Sequence, residues 1–545
     1  MEYFPKHTNT GNIGELIYKQ TGFYVNDNEV ENNRALHGDT VYFNNSKVTG
    51  IKERKKVWIA GILHLENNKK YGFTKKNIPY YKFTPLSGKY ASFIVPTKRR
   101  DKCALYCAIS FNTWTEKNKH PIGQVEEYIG DVGNIDHETM ALLYKNDVFP
   151  KKNKTTFTQI APPKIEEVTY MCYSIDPKGC RDIDDAISYT VLDNNTVELG
   201  IHIAHVGKYV DKFNSKFYSS IYLNNKQINM LDDELTYNTL SLGNGEPKYS
   251  LSLILIYSCE GDLIKKEFKE TVVSNTALSY SGAEKIIKTN KSHPINSLYN
   301  LTKKILDVTD IPATKLVEHY MILYNSSIAE VLYKYDNKTI LRNHQKVSFN
   351  CVDTGTEIDL NNYLSRITQN AALYTNNGDN TGHEDLGLEF YTHATSPIRR
   401  YVDIINQINL SNLINLRKIE FIENIDHVNI FNKNLRKFYN NYKKLNVIFS
   451  ITTKGLYNCY ITEIKNKKLK VYIPSLDIEH GFYPVSPKLI KCNEIIEKEN
   501  MLVINDMELK LYNKITIEIT MLPYETKFNR KLFIKICDLN CLGDI

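Results

Sequence analysis

The chain has 545 residues, 42% of them apolar, and a formal net charge of +7. That length and apolar content exclude a globally disordered polypeptide and leave room for roughly three or four domains. A pI near 8.6 is compatible with a polyanionic partner but too mild to demand one. The 38 tyrosines offer rings that can stack on bases, although coding bias that enriches Tyr, Asn, Lys and Ile together accounts for most of them. The ten cysteines form no C-x-x-C pair. Cys103/Cys107 and Cys537/Cys541 lack nearby histidines, so reduced thiols of a cytoplasmic protein fit better than zinc ligands or disulfides. Met1 to Asn12 is polar without an apolar h-region, and no apolar run approaches the ~18 residues a bilayer span needs. Neither secretion nor a membrane partner is expected.

In chain order, residues 1–165 read as short strands broken by Gly, Pro and Asn, among them Val57 to Leu65, Ala91 to Val95 and Ala104 to Phe111. Such spacing predicts small β-barrels, here over 1–55 and 56–165. Basic clusters recur at Lys52 to Lys56, Lys69-Lys70, Lys98 to Arg100 and Lys151 to Lys154. Each alone reads as a solvated loop; together they fit an electrostatic surface for nucleic acid. Residues 166–450 are mixed. Val197 to Tyr209 and Leu251 to Ser258 read as strands, and Tyr401 to Leu416 as a helix. Leu316, Tyr320, Leu323, Ile328 and Leu332 recur at helical spacing within Thr314 to Tyr335. Strands return in 451–545, at Lys468 to Ile473 and Lys514 to Met521, and predict another small barrel.

Four aspartates fall within ten residues, Asp176, Asp182, Asp184 and Asp185. An acidic run is ordinarily a solvated turn. Here β-branched, apolar segments flank it, and Asp176-Pro177 with Gly179 makes a compact turn that can fold the carboxylates together. Carboxylates crowded beside a buried sheet repel one another and lose solvation, which a hard divalent cation remedies. Strand alternation separates Asp182 and Asp184 from Asp185, an arrangement suited to two ions. A calcium EF-hand loop is excluded, because Lys178 and Cys180 stand at its third and fifth positions. A second constellation runs from Tyr391 to Tyr401. Ser396-Pro397 predicts a helix start with Ser as N-cap, and backbone N–H groups beside Arg399 and Arg400 predict an anion seat. The plainer alternative is a capped helix with surface arginines.

Together these blocks resemble the RNase II family of RNB-domain 3′→5′ exoribonucleases. That family carries an Ile-Asp-Pro…Arg-Asp-x-Asp-Asp-Ala block, matched at Ile175 to Ala186, and a Thr-Ser-Pro-Ile-Arg-Arg-Tyr block, matched at Thr395 to Tyr401. Weaker similarity lies at His202 to Ala204, Tyr222 to Leu231, Leu240 to Leu242, Thr276 to Tyr280, Val317-Glu318, Asn325 and Gly382-His383. Arg34 to Val41 is similar to the first cold-shock barrel of these enzymes, and His120 to Val125 with Ile129-Gly130 to the second barrel of the exosome-type branch. The tail resembles an S1 barrel. The resemblance thus implies a multidomain α+β protein: a mixed α/β RNB catalytic domain at 166–450, flanked by OB-fold barrels, two cold-shock-like and one S1-like. It leaves no room for the N-terminal endonuclease domain usual in the eukaryotic branch, which favours a free-standing monomer over a member of an exosome-like assembly.

The resemblance implies a processive enzyme that threads single-stranded RNA, 3′ end first, and releases nucleoside 5′-monophosphates. Asp176, Asp182, Asp184 and Asp185 match its Mg²⁺-site aspartates, for one or two ions, with Mn²⁺ an expected substitute. Asp184 and Arg399 would be catalytic, Arg399 holding the scissile phosphate. Tyr222, Tyr280, Glu318 and Arg400 would bind RNA, Tyr222 by stacking on a base, and Tyr280 and Glu318 where the family reads the ribose.

The sequence also departs from the family. Lys303 to Leu316 is too short for the stretch of about 30 residues that carries a base-clamping aromatic. His205 stands where the family has Asp, Lys248-Tyr249-Ser250 replaces an Asp-Arg pair, and Gln407-Ile408 replaces His-Arg. Tyr439 and Asn440 fall where the family carries Glu or Gln and then Arg. These losses keep a second reading open, a non-catalytic RNA-binding protein; the intact aspartates and Arg399 favour the nuclease. A haloacid-dehalogenase-like phosphatase is rejected, because Asp182-Ile183-Asp184-Asp185-Ala186 lacks the required Thr or Val and follows Cys180-Arg181 rather than an apolar strand.

Overall fold

The computed structural model describes residues 6–19, 22–66, 69–149, 155–192, 195–213, 216–345, 358–376, 378, 382–419, 424–451, 454–485, 495–504 and 507–537. The basic run Lys151 to Lys154 and Cys541 lie outside them. The chain forms two compact units, one of residues 1–149, 351–366 and 433–545, the other of 150–350 and 367–432.

Strands in the first unit follow from alternation. In Phe93–Pro96, Phe93 and Val95 are fully buried while Ile94 and Pro96 are only partly so, the period of a strand with one face on a core. With Ile59–His64, Tyr80–Pro85, Ala104–Thr113 and Ile122–Asp131 it closes a five-stranded barrel. Gly61 belongs there because an added Cβ would lie 2.2 Å from Phe83 Cζ. Helix Ile135–Lys145 follows, its first N–H groups capped by the Asn134 side chain. Before this barrel, Thr40–Asn44 pairs with Asn12–Glu15 and Lys47–Glu53 over a core of Leu16, Val25, Val41 and Val48. The C-terminal part of this unit is a five-stranded sheet of Gly455–Lys465, Lys468–Ile473, Ile478–Phe482, Lys514–Met521 and Leu532–Ile536. A buried ion pair, Lys531 Nζ to Glu138 Oε1 at 2.8 Å, joins it to helix Ile135–Lys145.

A second closed barrel organises the other unit. Strand Tyr170–Asp176 pairs antiparallel with Asp185–Val191 and parallel with Leu263–Ser279, Asp176 lying opposite Ser279. Thr196–Ala204 and Lys248–Ser258 complete it. Its apolar residues, including Ile187, Leu199, Ile201, Leu253 and Leu255, form one core with helix Ala313–Tyr335. That helix buries Leu316, Tyr320, Ile328 and Leu332 as the spacing predicts, but Tyr324 is fully buried whereas its neighbour Leu323 is only partly so. Tyr324 donates its hydroxyl proton to the Leu251 carbonyl at 3.1 Å, which lets a polar tip enter an apolar core. The predicted strand to Tyr209 stops at Ala204; residues 206–208 form a 3₁₀ turn. The fold is a multidomain α+β arrangement of a mixed α/β domain and OB-type barrels.

No helix among the described residues is long and apolar enough to cross a membrane.

Candidate active site

Strand Tyr170–Asp176 carries Asp176 out of the barrel, and Gly179, at φ +88°, turns the chain back. The Cys180 N–H closes that turn on the Pro177 carbonyl at 3.1 Å. The following loop is pinned from both sides. Ile183 N–H donates to Ser241 Oγ at 3.0 Å, and Leu242 N–H to the Ile183 carbonyl at 2.9 Å. Ala204 N–H donates to the Asp184 carbonyl at 2.8 Å. The turn at Pro177 to Gly179 is exposed, but Asp182 to Asp184 form a buried loop held by backbone hydrogen bonds. Asp182 is 7% exposed and Asp184 3%.

Ser396-Pro397 does not start a helix. The helix runs over Tyr401–Ile414, and its N-cap Arg400 is extended (φ −137°, ψ 128°) because it bridges to Ser219. Residues 396–400 instead form a turn, closed by Arg399 and Arg400 N–H groups on the Ser396 carbonyl. The predicted anion seat exists, and a carboxylate of this chain sits in it. Ile398 N–H donates to Asp184 Oδ1 at 2.9 Å, and Arg399 Nε to Asp184 Oδ2 at 3.0 Å. Arg399 Nη2 donates to Ser396 Oγ at 2.9 Å. The Arg399 side chain is still 43% exposed, so part of the guanidinium faces outward.

Burial dominates the electrostatics. It pushes Asp176 up to about 6, Ser174 opposing and Asp182 adding to the rise. It pushes Asp185 up to about 8, with the Asp176 and Asp184 charges reinforcing it. Asp184 is also raised by burial, against the pull of Arg399 and the Ile398 N–H. Asp176 Oδ2 is buried without a hydrogen-bond partner. Three carboxyls lifted this way, one with an orphaned oxygen, have the chemistry of a site awaiting a hard cation. Among the described residues, no three His, Cys, Asp or Glu side chains already enclose an ion position. Two engaged aspartates account for that: Asp184 holds Arg399, and Asp182 Oδ2 accepts the Tyr222 hydroxyl and, at 2.9 Å, Gln227 Nε2. Asp176, Asp185 and the Oδ1 of Asp182 remain as the oxygen donors that a hard cation takes beside waters and substrate phosphates, so the donor set fits magnesium.

The other predicted residues divide. Tyr280 opens helix Tyr280–Thr289 directly after Ser279, which lies opposite Asp176 in the barrel; burial, and then the Asp176 and Asp185 charges, raise its hydroxyl. The Tyr222 ring is 41% exposed while its hydroxyl is held by Asp182. Arg400 gives Nη2 to the fully buried Asp403 at 2.8 Å. Glu318 is half-exposed on helix Ala313–Tyr335 and pairs with Lys315 at 2.7 Å, with no recorded contact to the acidic block. The sequence assigned no role to Gln227, whose residue type carries no catalytic signal, and marked Asn325 only as a point of similarity. Asn325 Oδ1 accepts the Ala394 N–H at 2.8 Å and braces the segment leading to Arg399. His205 is buried with both ring nitrogens unpartnered, and Gln407 bonds the Ala204 carbonyl and the Gly207 N–H. Ser250 joins a buried hydroxyl network with Ser252 and Thr271 that reaches His202.

An acidic loop locked to an arginine turn on a mixed barrel-and-helix domain, in a chain that also carries OB-type barrels, is the arrangement to compare with known proteins. The RNB domain family matches residues 166–311 and 299–415, and the Dis3-like cold-shock domain 2 matches residues 80–147. Among curated proteins, the exosome complex exonuclease RRP44 of Mus musculus is 25% identical over 414 residues, covering 59% of this chain and 43% of that protein. Ribonuclease R of Chlamydia pneumoniae is 25% identical over 412 residues, 59% of this chain and 61% of that protein. The matched stretch thus spans about half the length of these curated relatives. Among solved structures, Mycoplasma genitalium RNase R in complex with ribose-methylated single-stranded RNA aligns with a TM-score of 0.69 at 17% identity, over 96% of this chain and 100% of that one. Yeast Ssd1, a pseudonuclease, aligns with a TM-score of 0.66 at 14% identity, over 98% and 99%. At such identities the structures establish a shared fold. This chain contains an RNB domain, matched over residues 166–415.

Proposed function

We propose that this protein is a magnesium-dependent exoribonuclease that degrades single-stranded RNA from its 3′ end to nucleoside 5′-monophosphates. The observation that carries the reading is the convergence of the acidic loop and the arginine turn, locked through Asp184 and Arg399. Asp176, Asp182 and Asp185 would hold the ion, and a magnesium bound there would supply charge neutralisation and an activated water. The chain's own residues do the rest. Asp184 fixes the plane of Arg399 through Nε, leaving the outward part of the guanidinium to donate to a phosphate. Tyr280, which follows the residue opposite Asp176, would meet the terminal nucleotide. Glu318 would reach a ribose 2′-hydroxyl only by leaving Lys315, a modest cost for an exposed pair.

Two of the aspartates are already engaged within the chain, Asp184 by Arg399 and Asp182 by Tyr222 and Gln227, which favours a second reading, a binder that holds RNA without cleaving it. One experiment separates them. Purified protein is incubated with 3′-tailed RNA and matching DNA, with Mg²⁺ or EDTA, beside Asp184→Asn. Monophosphate release from RNA alone, lost in EDTA and in the variant, supports the nuclease. RNA retention without release under every condition supports the binder.

A further inference from the structure

The acidic loop has a neighbour that the reaction described so far does not use. Ile221-Tyr222 and Gln227-Ile228 form a short antiparallel hairpin in which Tyr222 lies opposite Gln227. Both side chains reach the same atom. The Tyr222 hydroxyl and Gln227 Nε2, at 2.9 Å, donate to Asp182 Oδ2. Gln227 Nε2 also donates to Asn229 Oδ1 at 2.7 Å, and Asn229 Nδ2 in turn to Asp233 Oδ1 at 2.6 Å. Two oxygen acceptors around one amide nitrogen fix which way the amide points. The base of the hairpin is tied to the arginine turn, because Ser220 N–H donates to the Arg399 carbonyl at 3.0 Å and Ser219 bridges Arg400.

Asp182 Oδ1 is left almost bare. Its recorded neighbour is Cys180 Sγ at 3.7 Å, a weak donor. One carboxylate oxygen saturated by neutral donors and the other open is the arrangement that makes a carboxylate a one-oxygen ligand of set direction.

We propose that the 221–228 hairpin is a clasp that sets which oxygen Asp182 offers to the cation, with Gln227 its positioning residue and the Tyr222 hydroxyl its second arm. The proposal rests on the metal-dependent reading above. It gives Tyr222 a task beyond stacking: its exposed ring meets the RNA while its hydroxyl holds the metal ligand. Loss of either arm frees Asp182 to rotate and weakens ion binding before RNA binding.

The test titrates Mn²⁺ into wild type, Gln227→Leu and Tyr222→Phe without RNA, reading free ion by electron paramagnetic resonance, with circular dichroism as the check on folding. Each variant is expected to bind Mn²⁺ about tenfold more weakly, the lower end of effects from residues that orient metal ligands. For Gln227→Leu, RNA affinity in EDTA should stay at the wild-type value, and the Mg²⁺ concentration for half-maximal activity should rise by the same factor, with kcat restored at saturating Mg²⁺. Folded variants with wild-type Mn²⁺ affinity would overturn the clasp and leave the nuclease reading standing. A wild type that binds no Mn²⁺ would remove both. Should Gln227→Leu fail to fold, Tyr222→Phe, which deletes one hydroxyl, carries the same test.

Discussion

Raised carboxyl groups make a quantitative demand on metal binding. With Asp176 at about 6 and Asp185 at about 8, both hold protons in the metal-free protein at pH values where ordinary aspartates have lost them. The stabilising contribution of such groups is fully present below about pH 4, near the unfolded value, and is lost as the pH rises through 6 and then 8. A cation requires the ionised form, so its binding must expel those protons. At pH 6.5 Asp176 is about one-quarter protonated and Asp185 almost fully, so binding should release about one proton; at pH 8.5 the release falls to about 0.2. Calorimetric titration of Mg²⁺ or Mn²⁺ in two buffers of different ionisation enthalpy reads that number directly. Asp185→Asn should cut the release at pH 6.5 to about 0.2, the share left to Asp176. Cation affinity should climb with pH across this window. Binding at pH 6.5 with no buffer dependence would mean that the ion does not displace the Asp185 proton, and the assignment of the acidic loop as its site would fail.

Arg399→Lys retains the charge but loses the fork that binds Asp184 and a phosphate at once, and should lower kcat/KM by about 10²-fold or more; single-turnover assays on labelled RNA check this. Lys531 and Glu138 are 0% and 2% exposed, so Lys531→Met, which leaves the buried Glu138 carboxylate only the neutral donors Tyr106 and Gly133 N–H, should destabilise the first unit by about 3 kcal/mol, while adding Glu138→Gln recovers much of the loss. Denaturant unfolding followed by circular dichroism distinguishes the single from the double variant. The connection between helices Pro294–Leu306 and Ala313–Tyr335 holds only residues 307–312, too few for the clamp segment that the resemblance leads one to expect. Digestion of a 5′-labelled homopolymer should therefore stop at a longer limit product than in a clamp-containing relative, and an equal product would make the missing segment irrelevant.

Local patterns carried much of the architecture. Helix Ala313–Tyr335 and strands Lys468–Ile473 and Lys514–Met521 lie within a residue of where periodicity places them, because alternation and helical spacing are written into neighbouring residues. The acidic block and the arginine turn were legible for a similar reason: several chemically demanding side chains stand within a dozen positions. Their meanings were not local. Ile398 meets Asp184 across 214 positions and Gln227 meets Asp182 across 45, and no short-range pattern encodes either pairing. The misread helix start shows the same limit, for Ser396-Pro397 has capping chemistry, yet a bridge from Arg400 to Ser219 keeps the turn open until Tyr401. Composition and order specify which groups are present and which elements form. Which carboxylate fills the anion seat, and which of its oxygens remain free, follows from burial, where an unmet charge or hydrogen bond is costly enough to select one arrangement.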